Sequence, residues 1–177
     1  MILSVFLVGR SLPGFGNLVS AISRKFRARV QYAMIDMPAT RSFNKKREQF
    51  NAEKLLRDLF RFAPPPGDKA VYIIRDDMYA GKLSFVFGLA AERACILSTA
   101  RLDPRFYGEK DMEKARELFK ERVIKEAVHE IGHMVGLFHC PDRKCVMAFS
   151  NSVEDVDFKE KELCKNCRKS LPGDIIE

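Results

Sequence analysis

The sequence contains very few histidines and no apolar run long enough to cross a membrane. Of its 177 residues only three are histidine, and a membrane-spanning helix needs about 18 consecutive apolar residues. The first apolar run has only about eight residues, with no basic segment before it and no small-residue cleavage site after it. We therefore predict a strand there and not a signal peptide, and we expect a cytoplasmic protein that makes no contact with a membrane.

Internal repeats and low-complexity tracts are also absent, and the composition is that of an ordinary globular protein. Apolar residues make up 46% of the chain and charged residues 31%, so we predict one domain over positions 1–177. The net charge of +7 raises the question of an acidic partner such as nucleic acid. The basic residues are spread along the chain and mixed with acidic ones, which disfavours nucleic-acid binding.

Apolar periodicity predicts strands alternating with helices over most of the chain. Two apolar runs, 83–90 and 94–102, are separated by only three residues and predict an antiparallel hairpin. A long helix is predicted from about Asp111 to Gly136, where glycine favours the end of a helix. The other predicted elements are strands at 2–9, 28–38 and 70–76 and helices at 12–27, 47–62 and 152–162.

All three histidines lie in one segment, VHEIGHMVGLFH, at the end of the long predicted helix. Residues four apart on an α-helix differ by about 40° around its axis, so His129 and His133 project from one face and can meet one metal ion. In a continuous helix His139 would lie about 240° away from that face. Gly136 removes this difficulty, because glycine adopts the positive φ that ends a helix and lets the chain turn back.

Glu130 lies about 100° around the helix from His129, close enough for its carboxylate to reach a water on the metal. Three neutral imidazoles leave a tetrahedral Zn²⁺ ion with one open position, which is the arrangement of catalytic zinc sites. A water bound there would have its pKa lowered toward about 7, and the same ion would polarise the carbonyl group to be attacked. The sequence therefore predicts a catalytic zinc site in which Glu130 is the general base.

Four of the five cysteines form two close pairs in the last part of the chain. Cys140 and Cys145 have the spacing C-x4-C, and Cys164 and Cys167 have the spacing C-x2-C. Two such pairs of thiolates predict a closed, structural zinc site, with disulfides or an iron–sulfur cluster as alternatives. Cys95 stands apart in an apolar run and is predicted to be a small buried residue.

These motifs together resemble those of a known family. The segment HEIGHMVGLFHC, followed by Cys145-Val146-Met147 and by CKNC at 164–167, closely resembles the archaemetzincins, a cytoplasmic branch of the metzincin metallopeptidases. The resemblance implies a zinc peptidase in which Glu130 is base and acid and Met147 lies in a tight turn beneath the metal. The zinc ligands that it implies are His129, His133 and His139.

The fold that we predict is α/β (α+β) and metzincin-like. Its N-terminal lobe, 1–136, would contain a mixed twisted sheet with packed helices, including the long active-site helix. Its C-terminal lobe, 137–177, would be small, irregular and stapled by the four-cysteine zinc ion. Because Cys140 follows His139 and Cys145 precedes Met147 by two residues, that ion would clamp both ends of the segment under the active site.

The substrate side is predicted from the hairpin. In a metzincin-like architecture one strand is the sheet edge above the zinc and holds an extended peptide through main-chain hydrogen bonds. Alternatively both strands are internal and Gly88 is only a bulge. Some metzincins carry a tyrosine two residues after the methionine, where this chain has Phe149, so oxyanion stabilisation would fall mainly to zinc. We expect a pocket bordered by Val146, Ala148 and Phe149. The edge residues expected to bind substrate are Phe85, Val86, Phe87, Gly88 and Leu89.

We therefore predict a zinc-dependent metallopeptidase with two zinc ions per chain. No segment before the first strand could act as an inhibitory pro-segment, so access must limit the enzyme and short peptides or chain ends are the expected substrates. We expect a monomer. One alternative is a binding module in which the four-cysteine site and the basic KNCRKSL segment contact nucleic acid and the histidine site is vestigial; another is metal storage or sensing. The intact Glu130 weighs against both, because neither role needs a base beside the metal.

Overall fold

The chain alternates strands and helices in its first two thirds and becomes irregular in its last third. A computed structural model describes residues 1–171. Over this range the strands are β1 Ile2–Val8, β2 Arg29–Ile35, β3 Phe43–Asn44, β4 Gln49–Asn51, β5 Lys69–Ile74, β6 Met78–Tyr79, β7 Gly88–Ala90 and β8 Ala94–Ser98. The α-helices are α1 Phe15–Lys25, α2 Ala52–Phe62, α3 Met112–Met134, α4 Val153–Phe158 and α5 Lys165–Lys169.

Five strands form a mixed sheet in the order β2-β1-β5-β8-β7. The first four run parallel, and β7 pairs antiparallel with β8 at the end of the sheet. The central strands β1 and β5 are buried on both faces, which explains why their sequences are continuous apolar runs. The predicted mixed α/β fold is confirmed, and so is the antiparallel pairing of the hairpin.

The helices cover both faces of this sheet. Helices α1 and α3 pack on one face, where Leu18 and Ile22 of α1 share a core with Val128 and Ile131 of α3. Helix α2 packs on the other face through its leucines, against alternate side chains of β1, β5 and β8. The long helix α3 is therefore fixed to the sheet along its inner side, and its C-terminal end has a defined position.

Several elements differ from the prediction. Helix α2 begins at Ala52 and not near position 47, because the Asn51 side chain accepts a hydrogen bond from the Lys54 N–H and caps the helix there. The residues before it form β4 in a small second sheet of order β3-β4-β6. Strand β7 covers only the last part of the predicted run 83–90. Helix α5 was not predicted.

Helix α3 begins and ends where the sequence signals lie. The Asp111 carboxylate accepts hydrogen bonds from the N–H groups of Glu113 and Lys114, which is a helix N-cap. The helix ends at Met134, and Gly136 has a φ of 96°, a left-handed value that glycine adopts without strain. The predicted bounds of the long helix are confirmed, and the chain turns back after it toward His139.

The part of the chain after α3 contains only two short helices within the described residues, α4 and α5. The last residues of the predicted C-terminal lobe, 172–177, lie outside the described residues. The division into lobes 1–136 and 137–177 stays a prediction. Within residues 1–171, no helix combines the length and the apolar composition that crossing a membrane would require.

Candidate metal centre and active site

The three histidines converge at the C-terminal end of α3. One ring nitrogen from each of His129, His133 and His139 lies within 4.8 Å of the others. The Nε2 atoms of His129 and His133 are 3.1 Å apart. Nitrogen ligands about 2.0–2.1 Å from a tetrahedral zinc ion lie roughly 3.3 Å from one another. The spacing of these nitrogens therefore fits one zinc ion.

Backbone carbonyl groups fix the orientation of the first two rings. The Nδ1–H group of His129 donates to the carbonyl oxygen of Val146 at 2.9 Å. The Nδ1–H group of His133 donates to the carbonyl oxygen of Leu137 at 2.8 Å. Each bond selects the tautomer whose Nε2 carries a free lone pair, as is usual for metal-ligating histidines. Both carbonyls belong to the chain after α3, so the irregular segment orients ligands on the helix.

The surroundings of the cluster favour uncharged imidazole. Burial is the main cause that lowers the pKa of His129, and the nearby Lys159 ammonium lowers it further. Burial is also the main cause that lowers the pKa of His139, followed by His133 and then Lys159, although this ring is more exposed. Neutral imidazole is the form that binds a metal ion. These two side chains are therefore held ready to act as ligands at neutral pH.

Glu130 is enclosed between α3 and β7. Burial is the first cause that raises its pKa well above the usual range for a glutamate, the Glu126 carboxylate is the second, and Lys159 opposes both. A Cβ atom placed on Gly88 would overlap the Glu130 carboxyl group. Strand β7 can pass this close only because residue 88 has no side chain, so glycine at this position sets the space available to the carboxylate.

A buried ion pair that the sequence reading missed lies beside Glu130. The Nζ atom of Lys159 is 2.7 Å from Oε1 of Glu126, and the two side chains are only 1% and 3% exposed. Lys159 also donates to the carbonyl oxygen of Ala148 at 3.4 Å. Glu126 precedes Glu130 by one helical turn, so both acids lie on the inward side of α3. Two buried acids on one helix face were the sequence signal that a buried cation should be near them. The pair joins α3 to the residues after α4.

Met147 packs against α3, the helix that carries His129 and His133. It is fully buried, and a Cβ atom on Gly132 would overlap its sulfur atom. The Ala148 N–H donates to the Cys145 carbonyl oxygen at 2.9 Å, so the methionine stands in a tight turn. Gly132 precedes His133 directly, and its lack of a side chain permits the close approach of this turn to α3.

The four C-terminal cysteines form a second cluster. Their sulfur atoms all lie within 4.8 Å of one another, with 3.7 Å between Cys140 and Cys164 and 3.8 Å between Cys145 and Cys167. Thiolates about 2.3 Å from a tetrahedral zinc ion lie roughly 3.8 Å apart. Disulfide sulfurs would be about 2.05 Å apart, and all four cysteines are free. The disulfide alternative is therefore wrong for this structure, and the spacing fits zinc.

Helix α5 brings one of these pairs together. Cys164 is its N-cap residue and Cys167 lies in its first turn. A backbone hydrogen bond from Cys167 is the main cause that lowers the pKa of the Cys164 thiol to about 7. A low thiol pKa at a helix N-terminus favours the thiolate, which is the metal-binding form. The predicted buried position of Cys95, in β8, is confirmed.

A cleft of about 690 Å³ runs between β7 and the histidines. All five residues from Phe85 to Leu89 line it, as does Phe149. Val146 and Ala148 do not line it: both side chains are buried below the cleft, so the predicted pocket border is wrong at these two positions. Lining residues that the sequence reading missed include Leu83, Leu137, Phe138, Ser150 and Asn151.

Strand β7 is the free edge above the cleft, and it is shorter than predicted. It pairs with β8 on one side and is the last strand of the sheet, so the alternative with two internal strands is wrong. The Val86 N–H donates to the Met78 carbonyl oxygen at 2.9 Å and is not free for a substrate. The strand edge is therefore Gly88–Ala90, and Phe85 to Phe87 contribute only as wall residues.

Phe149 stands where a tyrosine occurs in some metzincins. Its ring centroid is 4.9 Å from that of His139, and the residue is 49% exposed. No tyrosine lines the cleft among residues 1–171. The phenolic hydroxyl group of those metzincins therefore has no counterpart in the described cleft.

Comparisons with known proteins agree with this geometry. The model of "Peptidase family M54" matches residues 24–172. The chain is 44% identical over 140 residues to an archaemetzincin from Methanocaldococcus jannaschii, covering 77% of this chain and 73% of that one. An archaemetzincin from Saccharolobus solfataricus is 43% identical over 131 residues, covering 73% and 69%.

The chain is also similar to solved structures of archaemetzincins and of a zinc-dependent peptidase. The crystal structure of archaemetzincin from Archaeoglobus fulgidus, complexed with malonate, is similar with a TM-score of 0.80 and 34% identity, covering 96% of this chain and 99% of that one. A zinc-dependent peptidase from Methanocorpusculum labreanum is similar with a TM-score of 0.81 and 26% identity, covering 96% and 100%. The predicted resemblance to the archaemetzincins is confirmed.

Proposed function

The chain belongs to peptidase family M54, together with the archaemetzincins, and is a zinc metallopeptidase; from this premise we propose that it hydrolyses peptide bonds with a water molecule activated by Glu130. The observation that carries the proposal is the convergence of three imidazoles beside a buried glutamate that faces the same cleft. In this proposal His129, His133 and His139 hold the catalytic zinc. When bound, zinc supplies a Lewis acid that makes water a better nucleophile and polarises a carbonyl oxygen.

Glu130 moves the protons of the proposed reaction. Its carboxylate takes a proton from the attacking water and later gives that proton to the leaving amine. Burial raises the pKa of this carboxyl group, which supports both roles, because a more basic carboxylate accepts a proton from water more readily than an ordinary one. Gly88 and α3 confine the carboxylate, which limits the positions that it can take beside the cleft.

We propose that the four cysteines hold a second, structural zinc ion, which gives two ions per chain. The spacing of the sulfur atoms supports this assignment. The Cys140 N–H donates to the Met147 carbonyl oxygen at 2.9 Å, and the Cys164 N–H donates to the Cys145 sulfur at 3.3 Å. Cross-linking these residues would fix the loop that carries Met147 and the carbonyl of Val146 that orients His129.

An extended peptide is the proposed substrate. It would add to the free edge of β7 at Gly88–Ala90, where main-chain hydrogen bonds hold it regardless of its sequence. The rings of Phe85, Phe87, Phe138 and Phe149 line the same cleft, which favours apolar side chains near the cleaved bond. A cleft of about 690 Å³ holds only a few residues, which supports short peptides or chain ends as substrates.

The cysteines support a proposal for the cellular compartment. Four unpaired cysteines in one cluster suit a reducing compartment, which supports a cytoplasmic enzyme. We also propose that it acts as a monomer and does not bind nucleic acid.

The variant Glu130→Gln tests the proposal. We expect it to lose cleavage of a peptide library, read by mass spectrometry, by a factor of about 10² to 10⁴, while zinc content by elemental analysis stays at the wild-type value. Glu117→Gln is the matched control, because this glutamate is on the exposed side of the same helix. Near-normal turnover in a zinc-loaded Glu130→Gln variant would exclude the proposed base.

A further inference from the structure

A second cavity lies at the carboxyl edge of the parallel strands. Its volume is about 890 Å³, and it shares no lining residue with the cleft. Arg75 follows β5 directly and Thr99 follows β8 directly, and both line it, together with Gly14 from the loop after β1. The cavity is therefore built from the loops at one end of the sheet, away from the histidines.

The topology of the sheet marks this edge as a binding position. Strand β1 lies between β2 and β5. The chain leaves β1 toward α1 on one face, but it leaves β5 toward β6, whose Met78 packs in the core with α2 on the other face. The loops after β1 and β5 therefore diverge to opposite faces and leave a crevice between them. In open α/β sheets such a switch point is where ligands bind, and nothing in the proposed peptidase mechanism uses it.

The charge of the cavity is strongly positive. Four basic side chains line it, with Asp103 as the single acidic lining residue. Arg105 is engaged by Asp103, and Lys120 by Glu117. Arg105 is the main cause that lowers the pKa of the Asp103 carboxyl group, and Arg75 lowers it further, so Arg75 lies near this carboxylate. Arg116 makes no hydrogen bond and no ion pair with any residue among 1–171. Four basic side chains against one carboxylate leave an excess of positive charge facing the cavity. This excess indicates an anionic ligand, and a phosphate group matches the fork of donors on a guanidinium group.

Apolar side chains stand beside these cations. Phe106 and Met112 are two of the large apolar side chains that the fold leaves more than half exposed, and both line this cavity. Phe119 lines it as well. A ring of a ligand can stack on such a surface while its anionic group meets the arginines. The lining thus has one part for a charge and another for a flat apolar group.

We propose that this cavity binds a phosphate monoester of an aromatic compound, of which a nucleoside monophosphate is the simplest example. The phosphate group lies between Arg75 and Arg116, and the aromatic group lies against Phe106 and Met112. The volume of about 890 Å³ is within the usual range for small-molecule sites. This site is independent of peptide hydrolysis, so its test uses binding and not activity.

The test is calorimetric titration of the zinc-loaded full chain with adenosine monophosphate, inorganic phosphate and adenosine at low salt. We expect the monophosphate to bind more tightly than the other two. The double variant Arg75→Gln/Arg116→Gln should weaken its binding by about ten-fold or more, because a hydrogen bond to a charged group contributes on the order of one decade in affinity. The control Arg57→Gln/Arg61→Gln removes the same charge from α2, on the opposite face of the sheet, and should leave the affinity unchanged.

Chemical-shift mapping separates this site from the catalytic zinc, which also attracts phosphate. Binding as proposed shifts the amide signals of Thr99 and Ala100 and leaves those of Gly88 and His139 in place. The proposal is overturned if the monophosphate does not bind, if adenosine or inorganic phosphate binds as tightly, if the Arg75/Arg116 variant binds normally, or if the shifts fall at the cleft.

Discussion

The two metal-ligand clusters differ in what holds them in place. His129 and His133 stand on a helix of 23 residues that packs on a five-stranded sheet. The four cysteines stand on turns and on a helix of only five residues. In the first cluster an apolar core positions the ligands, whereas in the second the bound ion would position the chain. The first can therefore leave a metal coordination site open for chemistry, and the second must use every ligand for stability.

Removing one thiolate of the four-cysteine cluster should have the largest effect on stability. We expect Cys167→Ser to lose one metal ion per chain and to lower the melting temperature by about 10 °C or more, because a structural zinc ion contributes on the order of 10 kcal/mol and each kcal/mol shifts a protein of this size by roughly 2–4 °C. Scanning calorimetry with elemental analysis measures both.

The matched control for this change is Asn166→Ser, one residue away on α5, which should alter neither quantity. An unchanged melting temperature in Cys167→Ser, with the other cysteines titrating as free thiols, would contradict a metal-held C-terminal region.

The second-largest effect is expected at the ion pair of Lys159 and Glu126, which joins the C-terminal region to α3. Lys159→Met leaves the Glu126 carboxylate buried without a partner, which should lower the free energy of unfolding by about 3–5 kcal/mol. The double variant Glu126→Met/Lys159→Met should recover most of the loss, since replacing both partners removes the unpaired charge. Urea denaturation measures all three proteins.

Lys161→Met is the control for a surface pair. The bridge of Lys161 to Glu121 is about half exposed and should contribute less than about 1 kcal/mol. If Lys159→Met lowers the free energy of unfolding no more than Lys161→Met does, the buried pair does not hold the C-terminal region against α3.

Gly88→Ala tests whether β7 confines the Glu130 side chain of α3. Its added methyl group overlaps the Glu130 carboxyl group, and a displaced catalytic group commonly loses about 100-fold in rate. We expect kcat/KM to fall by that order while both zinc ions remain bound. Gly16→Ala is the control, because nothing lies within 4 Å of a Cβ atom there. Equal activity of the two variants would argue against confinement of Glu130 by β7.

The smallest effect is expected at the cleft wall. Phe138 is 88% exposed and lines the cleft, so Phe138→Ala should leave the melting temperature unchanged. Loss of one aromatic contact of about 1 kcal/mol should raise KM for an apolar peptide by roughly five-fold with kcat retained. Phe62→Ala, at an exposed position on α2, should change neither constant. A fall in kcat alone for Phe138→Ala would place this ring outside substrate binding.

Much of the site could be predicted because it is local in sequence. The i, i+4 histidines, the glycine that ends α3 and the two cysteine pairs are each defined within a few residues, and helix geometry relates them without knowledge of the fold. The edge strand was predicted at the right place but too long, because the Val86 N–H is hydrogen-bonded to Met78 of β6.

The remaining features depend on contacts between distant segments. Lys159 meets Glu126 across 33 positions of the chain, and Gly88 meets Glu130 across 42. Periodicity carries no information about such pairs. The cleft wall was predicted wrongly at Val146 and Ala148 for the same reason: the turn that carries Met147 faces α3 and not the cleft.

Native mass spectrometry during stepwise chelation tests most directly whether the two clusters hold two zinc ions with different tasks. We expect two zinc ions per chain in the purified protein. A mild chelator should remove one of them together with peptidase activity while the melting temperature is largely kept, and the second should leave only when the C-terminal region unfolds. A single ion per chain, or two ions lost together with activity and stability, would contradict it.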